Sequence, residues 1–114
     1  MMDNFEATKT FLSFARKVIE NEFAKAGVNV SGMMLFGSRA RGDAKSDSDW
    51  DFLVITSGQI PQAEKARIIL AIQRIFAKKL ISVDIMVKTQ ERIEAERNDA
   101  GFMVQTVLAE AISV

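Results

Sequence analysis

The chain has 114 residues, which suits one domain and is too short for two ordinary ones. Hydrophobic residues make up 48% of it, enough for a sizeable core, which argues against disorder. The 15 basic and 15 acidic residues cancel, and this balance argues against a general nucleic-acid or membrane binder.

The first half of the chain predicts a helix and two strands. Apolar residues recur at spacings of three and four over residues 3–25, which indicates an amphipathic helix that ends at Gly27. A nearly continuous apolar run over residues 28–36 is typical of a buried strand. Residues 39–41 suit a helical turn, and residues 50–56 form the second predicted strand.

The second half of the chain continues the alternation of helices and strands. Its predicted elements are a helix at 61–79 with Pro61 in its first position, a strand at 81–88, a short helix capped by Thr89 and ending near Arg97, and an apolar helix at 100–112. This order predicts one α/β (α+β) domain over residues 1–114, with a small mixed sheet of three or four strands flanked by helices. No leader pattern or membrane-length apolar run is visible, so we expect a soluble, cytoplasmic protein.

Acidic residues stand at the start of the second strand. Alternate side chains of a strand share a face, so Asp49 and Asp51 would point one way and Trp50 the other. Asp84 interrupts the third strand, and all three acids can converge if the two strands are neighbours. Because a cation would relieve the repulsion between adjacent carboxylates, these residues form a candidate metal site.

The residue types that are missing restrict the chemistry of such a site. The chain has no cysteine and no histidine, which excludes disulfides, thiolate and imidazole ligands, and Ser-His-Asp catalysis. Oxygen ligands point to Mg²⁺ or Mn²⁺. Two Mg²⁺ ions are a known device for in-line displacement at phosphorus, and Asp84 is the candidate both to bind metal and to accept the proton of an attacking hydroxyl.

A glycine-serine pair after the first strand supplies a complementary anion site. Gly37 lets backbone N–H groups approach a phosphate closely, and Ser38 can donate its hydroxyl. Arg39 and Arg41 can neutralise a triphosphate or a leaving pyrophosphate. Taken singly, each feature also has an ordinary explanation, because Gly-Ser marks turns, acids cap loops and pair with cations, and arginines are usually solvated.

A combined signature stands in the middle of the chain, made of Gly37-Ser38, ten intervening residues and Asp49-Trp50-Asp51. It resembles the signature of the DNA polymerase β-like nucleotidyltransferase superfamily. The wider segments 36–42 and 46–54 resemble the minimal nucleotidyltransferases of bacteria and archaea, which are often the antitoxins of two-gene modules with a HEPN-domain ribonuclease toxin. Trp50 departs from the usual aliphatic residue, and we expect it to matter only for packing.

The resemblance implies a division of roles among these residues. It implies that Asp49 and Asp51 bind Mg²⁺ with Asp84 completing the triad, and that Gly37-Ser38 holds nucleotide phosphates. It also implies ATP as the donor and transfer of AMP to a hydroxyl acceptor, which in the antitoxin branch is a tyrosine of the HEPN toxin.

Alternatives remain open at this point. The protein could be a non-catalytic nucleotide-binding antitoxin that neutralises its partner by occlusion, or a transferase acting on a small molecule. The predicted last helix could pack on its own sheet, cover a partner surface or form a homodimer seam. Neither a membrane nor direct nucleic-acid binding is expected.

Overall fold

The computed structural model describes residues 4–97 and 111–114. Its elements in chain order are α1 (Asn4–Lys25), β1 (Val30–Phe36), α2 (Ser38–Arg41), β2 (Trp50–Thr56), α3 (Gln62–Ala77), β3 (Val83–Thr89), α4 (Gln90–Arg97) and β4 (Ile112–Ser113). The predicted alternation of helices and strands is therefore confirmed. Among the described residues, no helix combines the length and the apolar character needed to cross a membrane.

The strands form one mixed sheet in the order β3-β2-β1-β4. Strand β1 pairs antiparallel with both β2 and β4, whereas β2 and β3 pair in parallel. Parallel neighbours need a long crossover between them, and α3 provides it. The predicted small mixed sheet is confirmed with four strands.

Helices α1 and α3 cover one face of the sheet. Their apolar stripes meet alternate residues of the three long strands because successive strand side chains point to opposite faces. Burying one side chain such as Phe52 contributes roughly 1.5–3 kcal/mol. The buried residues of this layer are Leu12, Ala15, Ile19, Phe23, Met33, Leu35, Phe52, Val54, Ile68, Ile72, Phe76, Val83 and Ile85.

Helix α4 packs on the opposite face, where Ile93 contacts a smaller cluster around Leu53. Thr89 Oγ1 accepts a hydrogen bond of 3.0 Å from the Arg92 amide, which confirms the predicted cap. Glu96 is 3% exposed, and its carboxylate lies 2.9 Å from Lys88 Nζ and 2.6 Å from Arg92 Nε. The hydrogen bond from Lys88 lowers the pKa of Glu96, the bond from Arg92 lowers it further, and burial opposes both.

The ends of several elements differ from the predictions. Gly27 has a φ of 74° after α1, as expected of a residue that ends a helix, but β1 begins only at Val30 because the Val28 amide still bonds to Phe23 O at 3.0 Å. Pro61 is the N-cap of α3 rather than its first residue, since its ψ of 141° is extended, and α3 ends at Ala77.

The predicted last helix at 100–112 lies mostly outside the described residues. Its end at Ile112 is wrong, because Ile112 belongs to β4, opposite Leu35 of β1. The Val114 amide continues this pairing with a 3.1 Å bond to Met33 O. At Ile112 the helical periodicity was misleading, since the free edge of β1 offers backbone partners that no local pattern reveals.

Leu80 is held in an unusual conformation after α3. Its φ is 60°, the residue is 96% exposed, and its amide bonds to Ala77 O at 2.9 Å. A left-handed conformation is unfavourable for a residue with a Cβ, and glycine is the usual choice at such a helix end.

We therefore expect Leu80→Gly to stabilise the protein. Relief of the left-handed strain, partly offset by the greater freedom of glycine in the unfolded chain, should add about 0.5–1 kcal/mol to the free energy of unfolding. The melting temperature, measured by circular dichroism, should rise by about 2–5 °C. Lys78→Gly is the matched control, because Lys78 has a right-handed φ of −63° and glycine there should lower stability. A lower melting temperature for Leu80→Gly would contradict this account.

Candidate active site at the start of β2

The structure places two of the three predicted acids side by side. Asp51 of β2 and Asp84 of β3 are register partners in the parallel pair. Partners in such a pair point to the same face, so both carboxylates lie on the face opposite α1 and α3. Asp84 is exposed and Asp51 is half-buried. Asp49 is exposed and directly precedes β2.

The electrostatics of Asp51 reflect its burial and the charges of the two other acids. Burial raises the pKa of Asp51 above its ordinary value of 3.8, and the charges of Asp84 and Asp49 raise it further. The charge of Arg41 acts in the opposite direction and lowers the pKa. Ionised Asp51 is thus destabilised by its neighbours, which is the situation that a bound cation would relieve.

The donor set fits a hard divalent cation in its chemistry. Asp49, Asp51 and Asp84 offer carboxylate oxygens, the ligands that Mg²⁺ prefers. Within residues 4–97 and 111–114, no three acidic side chains are yet gathered closely enough to hold a metal ion. The backbone register sets two of these carboxylates side by side, and coordination would need side-chain rotation to bring the oxygens together.

Gly37 lies directly against the carboxylate of Asp51. Its φ of 74° and ψ of −159° belong to a region that is essentially reserved for glycine. A Cβ built on Gly37 would overlap Asp51 Oδ2 and stand 3.3 Å from Asp51 Cγ. The turn after β1 and the acid of β2 therefore occupy one site, and only glycine permits the approach. The sequence predicted the turn but not this contact.

Ser38 follows in the short helix α2. The internal hydrogen bonds of α2 begin with the amides of Ala40 and Arg41, which donate to Gly37 O at 3.1 Å and 3.0 Å. The amides of Ser38 and Arg39 thus belong to the first turn, which a helix leaves without internal acceptors. They stand immediately after the glycine that contacts Asp51.

The two arginines of α2 have different surroundings. Arg41 is exposed, and its Nε lies 3.2 Å from Asp43 Oδ2. Arg39 is half-buried, and its guanidinium lies 4.5 Å above the ring of Trp50. Trp50 points to the α1 side, as predicted, where its ring centroid is 4.3 Å from that of Phe11. Through its contact with Arg39, Trp50 lies next to the candidate site. The sequence did not predict this contact.

We predict that Asp51→Asn raises the melting temperature of the metal-free protein at neutral pH. Because the folded-state pKa is raised, wild-type stability falls as the pH rises from 3.8 through the folded-state pKa, and the amide removes this loss. Below pH 3.8, Asp51 of the wild type is protonated in both the folded and the unfolded state, so the difference in stability from the variant should shrink. Thermal unfolding in the presence of a chelator across this pH range measures it. The difference in melting temperature between Asp51→Asn and wild type should be larger at neutral pH than under acid conditions. An equal or smaller difference at neutral pH would contradict the raised pKa of Asp51.

We predict that Gly37→Ala destabilises the protein by about 1–3 kcal/mol through backbone strain, with an added cost from overlap with Asp51. Gly42→Ala is the control, because its φ of 86° imposes strain while a Cβ there meets nothing within 4 Å. Combining each change with Asp51→Ala in double-mutant cycles, followed by chemical unfolding, isolates the overlap. Coupling to Asp51 is expected for Gly37 and not for Gly42. Equal coupling for both glycines would refute the contact.

Comparison with known proteins places this architecture in a family. The family model described as "Polymerase beta, Nucleotidyltransferase" matches residues 17–102. A solved structure described as a minimal nucleotidyltransferase is 31% identical, with a TM-score of 0.58, over 93% of this chain and 94% of that one. None of the curated proteins matches the chain.

Two further solved structures share the fold at lower identity. A nucleotidyltransferase structure from Sulfolobus solfataricus is 22% identical with a TM-score of 0.61, over 96% of this chain and 83% of that one. A toxin-antitoxin crystal structure with AMP-PNP is 16% identical with a TM-score of 0.57, over 85% of this chain and 69% of that one. The family match spans most of the chain and the 31% identical relative spans nearly all of it, so this chain belongs to the polymerase β nucleotidyltransferase family.

Proposed function

We propose that this protein is a Mg²⁺-dependent nucleotidyltransferase that transfers AMP from ATP to a hydroxyl group of a partner protein, a tyrosine of a HEPN-type toxin. The observation that carries the proposal is the in-register pairing of Asp51 with Asp84, with Gly37 packed against Asp51. The acids that would bind the metal and the turn that would hold phosphate therefore stand together, and transfer from a triphosphate needs both functions.

In this proposal the acids and the turn have distinct tasks. Asp49, Asp51 and Asp84 would hold Mg²⁺, whose charge would neutralise the phosphate oxygens of bound ATP. Gly37 and Ser38 would present backbone amides to the phosphates. Arg41 is exposed, and its charge already acts on Asp51, so it is suited to the charge on the leaving pyrophosphate.

The transfer is a single displacement at phosphorus. The acceptor oxygen forms a bond to the α-phosphorus of ATP, the bond from that phosphorus to the oxygen bridging to the β-phosphate breaks, and pyrophosphate leaves with the electron pair. The acceptor proton passes to a carboxylate oxygen of Asp84, which is exposed at the start of β3 and so open to a second protein.

A protein acceptor is supported by two comparisons, one with a minimal nucleotidyltransferase and one with a toxin-antitoxin structure. This chain aligns over 94% of a minimal nucleotidyltransferase, so it shares the compact form of that protein. A chain of the structure described as a toxin-antitoxin with AMP-PNP, an ATP analogue, shares this fold. These two observations favour ATP as the donor and a toxin as the acceptor over transfer to a small molecule.

The test is transfer of label from α-labelled ATP to the product of the adjacent gene in the presence of Mg²⁺. Wild type should label the partner, and Asp49→Asn, Asp51→Asn and Asp84→Asn should each lower the rate by about 100-fold or more, because metal binding or proton transfer is lost. Asp47→Asn is the matched control, since Asp47 is an exposed loop acid close in sequence, and it should keep the wild-type rate.

The same variants separate transfer from occlusion. If the wild type labels nothing, or if Asp51→Asn labels the partner as fast as the wild type, the proposal is wrong. Full neutralisation of a toxic partner by all three variants without any label transfer would instead establish the non-catalytic alternative.

A further inference from the structure

Arg39 contacts the chain on both sides of Asp49. Its Nη2 donates hydrogen bonds to Ser46 O at 3.2 Å and to Ser48 O at 3.0 Å. Its guanidinium also lies 4.5 Å above the ring of Trp50. One side chain therefore binds the residue before Asp49 and the residue after it.

The contacts of Trp50 and of the loop show what Arg39 holds in place. The loop before β2 closes on itself through a 2.8 Å bond from the Lys45 amide to Ser48 Oγ and a 3.0 Å bond from the Ser48 amide to Lys45 O. The Trp50 amide bonds at 3.0 Å to O of Ser82, the residue just before β3. Between these points Asp49 is exposed, and the backbone groups of the residues on either side of it, Ser48 and Trp50, make hydrogen bonds.

The contacts of Arg39 favour a positioning role over phosphate binding. Nη2 donates to two carbonyl oxygens while the guanidinium lies over the ring of Trp50, and Nε is buried and so is not directed at solvent. An anion that recruited Nη2 would have to displace both carbonyl acceptors. Arg41, two residues later, is exposed and acts on Asp51.

We propose that Arg39 is a positioning residue that holds the loop and Trp50 so that Asp49 is ready to bind the metal ion, and that it does not bind phosphate. This inference rests on the proposed function, in which Asp49 is a ligand of Mg²⁺. Lysine is a poor replacement for Arg39, because its side chain is shorter and its compact ammonium group lacks the planar guanidinium that lies over Trp50 while Nη2 donates to the two carbonyls. Arg39→Lys and Arg39→Met should therefore have the same effect.

The positioning can be measured without any activity, because Trp50 is the single tryptophan of the chain. In both Arg39 variants, Trp50 fluorescence should become easier to quench with acrylamide. The Ser48 amide should exchange with deuterium about tenfold faster, as expected when hydrogen bonds to a charged group are lost. Arg67→Met, an exposed arginine of α3, is the matched control and should leave both signals unchanged.

The consequence for the site is measured by binding of Mn²⁺ alone. Supporting residues around metal ligands change affinity by about 10–100-fold, so Arg39→Met and Arg39→Lys should weaken Mn²⁺ binding by about tenfold or more. Arg67→Met should bind Mn²⁺ as wild type does. If Arg39→Lys keeps the wild-type Mn²⁺ affinity and only Arg39→Met loses ATP affinity, Arg39 is a phosphate ligand and the proposal is overturned.

The outcomes for this proposal and for the proposed function are distinct. A wild type that neither binds Mn²⁺ nor transfers label removes the proposed function, and with it the catalytic consequence of Arg39. Unchanged fluorescence quenching and unchanged Ser48 exchange in both Arg39 variants would refute the positioning itself, whatever the activity of the wild type. Should Arg39→Met fail to fold, Arg39→Lys, which keeps the charge and most of the stem, carries the test.

Discussion

The register between β2 and β3 is the constraint on which the rest of the structure depends. It sets Asp51 opposite Asp84 because Phe52 and Ile85, the next pair along, both belong to the buried layer under α1 and α3. A slip of one residue would turn an acid into the core and an apolar residue out to solvent. The hydrophobic core therefore fixes where the carboxylates stand, although it lies on the other face of the sheet.

This arrangement separates stability from chemistry. One face of the sheet carries the large apolar layer. The other carries acids that repel one another around Asp51, beside Gly37 in a backbone conformation that other residues rarely adopt. Like charges and backbone strain both reduce stability, so they are tolerated only where other contacts determine the structure. Helix α4, held by the buried Glu96 with Lys88 and Arg92, stabilises this face without covering Asp84.

Much of this could be predicted from the sequence because it follows from local patterns. The alternation in β2 and the break at Asp84 indicated which face the acids share, and the glycine after β1 indicated a turn. What the sequence could not reveal depends on contacts between distant residues. The overlap of Gly37 with Asp51, the burial of Glu96 and the pairing of Ile112 with Leu35 arise only when the sheet is assembled. At Ile112, helical periodicity was outweighed by an available strand edge.

The two arginines show how one short helix can serve both the structure and the site. Residues two apart on a helix point in directions that differ by roughly 200°, so one of them turns inward when the other faces solvent. Arg39 accordingly lies on Trp50 and the loop, whereas Arg41 is exposed and acts on Asp51. An aromatic ring at position 50 gives the inward guanidinium a surface that an aliphatic residue does not provide. The unusual residue between the two acids is thus linked to the first arginine of the signature, and together they determine the position of Asp49.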